Sequence, residues 1–192
     1  ARAKPEVPTD KEPDMARLIL TYGLISGLII IAGIIATLPL AHSPGHSGGV
    51  LLGYLIMLIA LSSILMGVRQ HRDRALGGAI GFWPAFGIGL AIAAVASVAY
   101  VVAWEGYLAL THYRFMGEYV EQTLAAKRAA GVTGAAYAKL AAELEAMKVA
   151  YADPVHRLPM TFLEIFPVGL LVALASAALL RNPKFLPSKP AG

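Results

Sequence analysis

Residues 67–89 read GVRQHRDRALGGAIGFWPAFGIG. Three arginines and an aspartate fall within six residues, five glycines follow, and long apolar stretches lie on both sides. A block of charge set between two such stretches marks the point where a chain leaves one membrane span and turns into the next. The composition agrees. Of 192 residues, 57% are hydrophobic and 15% charged, against about a quarter charged in a soluble domain, and the mean hydropathy is +0.64. There is no cysteine, which excludes disulfides, thiolate catalysis, iron–sulfur clusters and cysteine-held zinc. The formal charge of +4 is modest and its basic residues are spread along the chain, so a nucleic-acid partner is not expected.

Working outward, four apolar segments are long enough to cross a bilayer core of about 30 Å as helices: residues 18–40, 50–68, 79–103 and 159–180. Open strands would leave backbone groups unpaired in lipid, so the expected fold is all-α, a polytopic membrane protein with four transmembrane helices. Residues 1–15 are Pro-rich and mixed in charge, and read as a flexible tail. The first apolar run is longer than the core of a secretory signal, so it reads as a retained span. Residues 182–192 carry three prolines and read as a C-terminal tail.

The connection at 105–158 has structure of its own. Tyr137, Leu140, Leu144, Met147 and Tyr151 recur at spacings of three and four, the period of an amphipathic helix. Thr133 fits its N-cap and Asp153-Pro154 its stop. Phe115, Met116, Tyr119, Val120 and Leu124 predict a second helix ending near Gly131. The expectation is a helical hairpin at one membrane end of the bundle, the alternative being an ordinary alanine-rich loop.

Cytoplasmic loops are enriched in Lys and Arg. Arg69, Arg72 and Arg74 separate spans two and three, whereas the link between spans one and two has neither residue type. Arg17 before span one, and Arg181 and Lys184 after span four, point the same way. The expected topology has both termini cytoplasmic and the 105–158 connection outside. Arg69, Arg72 and Arg74 then act as topology anchors, with Asp73 paired to a neighbouring arginine. The five basic residues between His112 and Asp153 in the long connection oppose this assignment, but short loops dominate the rule.

Helices in lipid associate through close packing of small residues. Ala85, Gly89, Ala93 and Ser97 form such a row in span three, Gly169, Ala173 and Ala177 in span four, and Gly23 and Gly27 in span one. These rows either close the bundle on itself or face outward to grip another protein. Pro84 lies near the start of span three beside Trp83, an interface anchor, and Pro167 lies inside span four, where it is expected to kink the helix.

Candidate chemistry collects at the other face. His42, His46, Glu105, His112, His156 and Glu164 fall there, and His71 falls with the arginines. An acid inside a span is a functional candidate by default, which singles out Glu164. His42, His46 and Glu164 supply donor types that suit zinc or copper, but His42 and His46 flank a proline–glycine turn and match no metal motif. Glu105 reads as an interfacial residue at the end of its span. No H-E-x-x-H, G-x-S-x-G or phosphate-binding loop occurs, and no internal repeat marks a transporter.

The opening segment resembles the junction between the second and third spans of a bacterial family of four-span membrane proteins labelled domain of unknown function 4199. A basic R-D-x-x-x-G-G turn there leads into an aromatic, glycine-rich helix. Arg72, Asp73, Gly77, Gly78, Phe82, Phe86 and Gly89 match that pattern, and Trp83-Pro84 departs from it. The resemblance covers residues 16–181. It implies a four-span fold with a variable helical connection before the last span, and brings no activity or cofactor.

These features lead to an expected function. The chain reads as a non-enzymatic accessory or scaffolding subunit of a larger respiratory or photosynthetic complex in a bacterial inner membrane. Its partners would be the lipid bilayer and membrane proteins, met through small-residue faces, hairpin or tails. The alternative is a small transporter or proton-coupled permease using Glu164.

Overall fold

A computed structural model describes residues 15–41 and 48–187. Among these it contains six helices and no strand: α1 (Met15–Ala41), α2 (Gly48–Ala75), α3 (Phe82–Leu110), α4 (Phe115–Ala129), α5 (Gly134–Ala152) and α6 (Pro154–Leu180). Four of them, α1, α2, α3 and α6, are long and apolar enough to cross a membrane. They form a bundle in which α1 and α6 each pack against both α2 and α3. The start of α1, the end of α2, the start of α3 and the end of α6 lie at one end; the α4–α5 hairpin lies at the other and docks on α6 through α5.

The glycine rows set how closely these helices approach. A Cβ placed on Gly23 or Gly27 of α1 would press into Val95 or Ala99 of α3. Between α3 and α6, a Cβ on Gly89 would lie 3.0 Å from that of Ala173, and one on Gly169 would lie 2.8 Å from that of Ala93. Ala85, Ala93, Ala173 and Ala177 are fully buried in the same seam. The rows are therefore spent on packing within the bundle, the first of the two roles their spacing allowed. Ser26 of α1 and Ser63 of α2 hydrogen-bond to each other inside it, and Ser26 Oγ also donates to the Tyr22 carbonyl at 2.9 Å. A hydroxyl in a dry interior needs such partners.

The helix ends differ from the expected boundaries. Spacing predicts span two to stop at residue 68, yet α2 runs on to Ala75, so Arg69–Arg74 sit on its last two turns rather than in a loop. Helical geometry brings Arg69 and Asp73, four residues apart, onto one face. Gly77 and Gly78 then end the helix with φ of +64° and +95°, a backbone region that favours glycine. Span four begins earlier than residue 159: α6 starts at Pro154, and its backbone continues as helix through Pro159 and Pro167. Residues 182–187, expected to be part of a tail, fold back over the bundle end, where Phe185 packs against the core. Met15, the last residue of the predicted N-terminal tail, opens α1, and residues 1–14, 42–47 and 188–192 lie outside the described residues.

Candidate functional site

Two buried arginines, one at each end of the bundle, organise its polar groups. At the first end Arg72 has no exposed surface. Its Nε donates to Asp73 Oδ1 at 2.7 Å, and its two terminal nitrogens donate to the carbonyls of Phe185 and Leu186 at 2.9 and 2.5 Å. Arg69 Nε lies 3.4 Å from the other Asp73 oxygen. Asp73 thus meets Arg69 and Arg72, and Arg72 straps residues 185–186 to the end of α2. Leu186 is held at φ +47°, a strained setting for a residue with a Cβ. Arg74, the third basic residue of the motif, is exposed and lies at the last turn of α2. Gly78 N–H closes the helix end by donating to the Arg72 carbonyl at 2.9 Å.

At the hairpin end the organising residue is Arg157, in the first turn of α6, 3% exposed. Its Nε and Nη2 donate to the two oxygens of Glu105 on α3 at 2.6 and 2.9 Å, a bidentate fork. Its Nη1 donates to the carbonyls of Tyr151 and Ala152, at 2.9 and 3.1 Å, at the end of α5. One guanidinium therefore joins three helices. The Tyr113 ring lies over it at 5.1 Å, placed by a turn in which His112 and Tyr113 both take positive φ. Spacing gave no sign of Arg157, because its partner Glu105 is 52 residues away. The one available signal was the pairing of opposite charges at the facing ends of two adjacent spans.

An aromatic belt surrounds this pair. Trp104 stacks between Tyr100 and Tyr107, meets Phe115 edge-to-face at 5.0 Å, and donates from Nε1 to Tyr151 Oη at 2.7 Å. Burial holds the Tyr151 phenol above its ordinary value, so it stays neutral and accepts that bond. Asp153 links α5 to α6: its Oδ1 accepts from Val155 N–H at 3.0 Å and its Oδ2 pairs with His156 at 2.9 Å. These contacts, the Val155 amide first, hold its carboxyl below the usual aspartate range. Thr133 occupies the N-cap of α5 without a side-chain cap bond.

Glu164 accepts a hydrogen bond from Tyr100 Oη at 3.2 Å and is otherwise exposed on the outer face of α6. Among the described residues no group of three or more His, Asp or Glu side chains is arranged to hold a metal. His42 and His46, the suggested partners of Glu164, lie outside the described residues. His112 is exposed in the α3–α4 turn, and His71 is buried at the Arg72 end.

A four-helix membrane bundle, closed by a charged motif at one end and carrying a helical hairpin at the other, is the class that fold and site define. The chain belongs to the family described as Protein of unknown function (DUF4199), whose model matches residues 21–182. Searches of the curated proteins and of the solved structures returned no match.

Proposed function

We propose that this protein is a non-enzymatic accessory subunit that scaffolds a larger membrane assembly, respiratory or photosynthetic. We place it in a bacterial inner membrane with both termini cytoplasmic. One observation carries the reading. Glu164 is exposed on α6, seven residues and so about 10 Å beyond Arg157. Tyr100 is its one hydrogen-bond partner among the described residues. A carboxyl group facing hydrocarbon is costly, and a donor on a neighbouring protein's helix relieves that cost. Met160, Pro167 and Leu171 share its stripe of α6 and are also exposed. The glycine rows are consumed inside the bundle, so the partner surface is assigned to this stripe instead. The ionic group at Arg157 binds three helices to one another and that at Arg72 binds residues 185–186 to α2, which favours structural work over catalysis.

Purification at native abundance in mild detergent tests the proposal. Recovery with a membrane-protein partner in fixed ratio is expected, and a solitary chain would sink it.

The second reading, a proton-coupled permease, rests on the Glu164–Tyr100 hydrogen bond beside Pro167. Glu164→Gln with unchanged flux or growth removes it.

A further inference from the structure

We propose that the cleft beneath the α4–α5 hairpin binds one intact phospholipid whose headgroup carries a phosphate and a primary ammonium. The cleft lies between α4, the end of α5 and the start of α6, with a volume of about 620 Å³, inside the roughly 300–1,000 Å³ of small-molecule sites. Arg157 lines it but offers no free charge, because each guanidinium nitrogen already donates to Glu105 or to α5 carbonyls. Selectivity therefore falls to the other charged lining residues.

These are balanced. Arg114 and Lys148 line it together with Glu118 and Glu121, two basic and two acidic groups. Arg114 and Glu118 are 4.0 Å apart and both well exposed, and Lys148 leans on exposed Glu145; such pairs are weak and exchangeable. Glu121 has no ion pair among the described residues. A simple anion would meet two carboxylates, and a simple cation two basic groups. A headgroup with one charge of each sign satisfies both sets. A primary ammonium donates hydrogen bonds to the carboxylates, which a quaternary one cannot.

The remaining wall favours an amphiphile. Leu108, Met116 and Pro154 give the cleft an apolar side. Leu110, Val149 and Val155, close in sequence to lining residues, are 83%, 65% and 75% exposed. Side chains of that kind, beside the Trp104–Tyr107 belt, belong at a bilayer surface, so the occupant enters from the lipid.

The full chain in mild detergent is examined by native mass spectrometry against equal concentrations of four probes. These are dioleoyl phosphatidylethanolamine, phosphatidylglycerol, phosphatidylcholine, and the chainless glycerophosphoethanolamine. Phosphatidylethanolamine is expected to be retained about tenfold over the other two lipids, the effect of one charged hydrogen bond, and the chainless headgroup hardly at all. Glu118→Gln with Glu121→Gln should level phosphatidylethanolamine with phosphatidylglycerol, and Arg114→Ala with Lys148→Ala should lower retention of all three. Equal or better retention of phosphatidylglycerol or phosphatidylcholine by the unaltered chain overturns the proposal. So does equal retention of the chainless headgroup, or an undiminished preference in the folded glutamine variant.

Discussion

Glu105 and Arg157 stand opposite one another in the same antiparallel register that sets Gly89 against Ala173 and Ala93 against Gly169. From Gly89 to Ala93, α3 advances four residues while α6 retreats four. Twelve further residues in each direction arrive at the ion pair. The small-residue seam and the charged fork are thus two parts of one interface. The seam lets the helices approach, and the fork fixes their register at the hairpin end.

Removing either member of the fork should destabilise the protein strongly. Arg157→Ala leaves Glu105 and two α5 carbonyls without their donor, and Glu105→Ala leaves a buried guanidinium uncompensated. Breaking a buried pair from one side costs about 3–5 kcal/mol. Thermal unfolding in detergent should show both variants well below the parent, with Arg157→Glu lowest, because it sets two carboxylates together. An unchanged midpoint for Arg157→Ala would remove the fork from the account.

The seam predicts a contrast between two glycines. Gly169→Val forces a branched side chain against Ala93 and should cost about 1–3 kcal/mol by overpacking. Gly87→Ala, on α3 but with nothing within 4 Å of its new Cβ, should leave the unfolding midpoint unchanged or raised. Equal losses at both positions would contradict the seam.

Much of this was legible in the sequence, and the exceptions share a cause. The spans follow from apolar length, the hairpin from three-and-four spacing, and the glycine rows from their period, all local properties. Arg157 and the strap at Arg72 depend on partners 52 and 113 residues away, which no local pattern encodes. Residues 182–187 look like a tail because they are proline-rich, and the buried Arg72 guanidinium together with Phe185 packing explains why they are held. Glu105 reads as an interfacial acid until α6 is laid beside it.

The strap makes its own prediction. Arg72→Lys keeps the charge but loses the planar fork that serves Asp73 and two carbonyls together. Amide hydrogen exchange across residues 182–187 should then accelerate while that of α4 and α5 does not. Protection that survives the change would show that Phe185 packing alone holds the segment.

Asp153 gives the hinge between α5 and α6 a defined acid response. Its folded-state carboxyl sits below the ordinary value of 3.8. The cap's contribution is therefore present above that value and lost as pH falls through the lower, folded-state one. The Val155 amide resonance should move in acid as the bond breaks. Asp153→Asn should abolish that movement, and Asp153→Ala should show the acid form at neutral pH. Movement centred above the ordinary value would contradict the cap.

The accessory role is tested most directly by photo-crosslinking in native membranes. A photoreactive residue is placed at Met160 or Leu171, on the Glu164 stripe, and at Leu28, exposed on α1. A discrete adduct with another membrane protein is expected from the α6 positions and none from Leu28, with the adduct weakening in Glu164→Ala. Lipid adducts alone from all three positions would contradict that role.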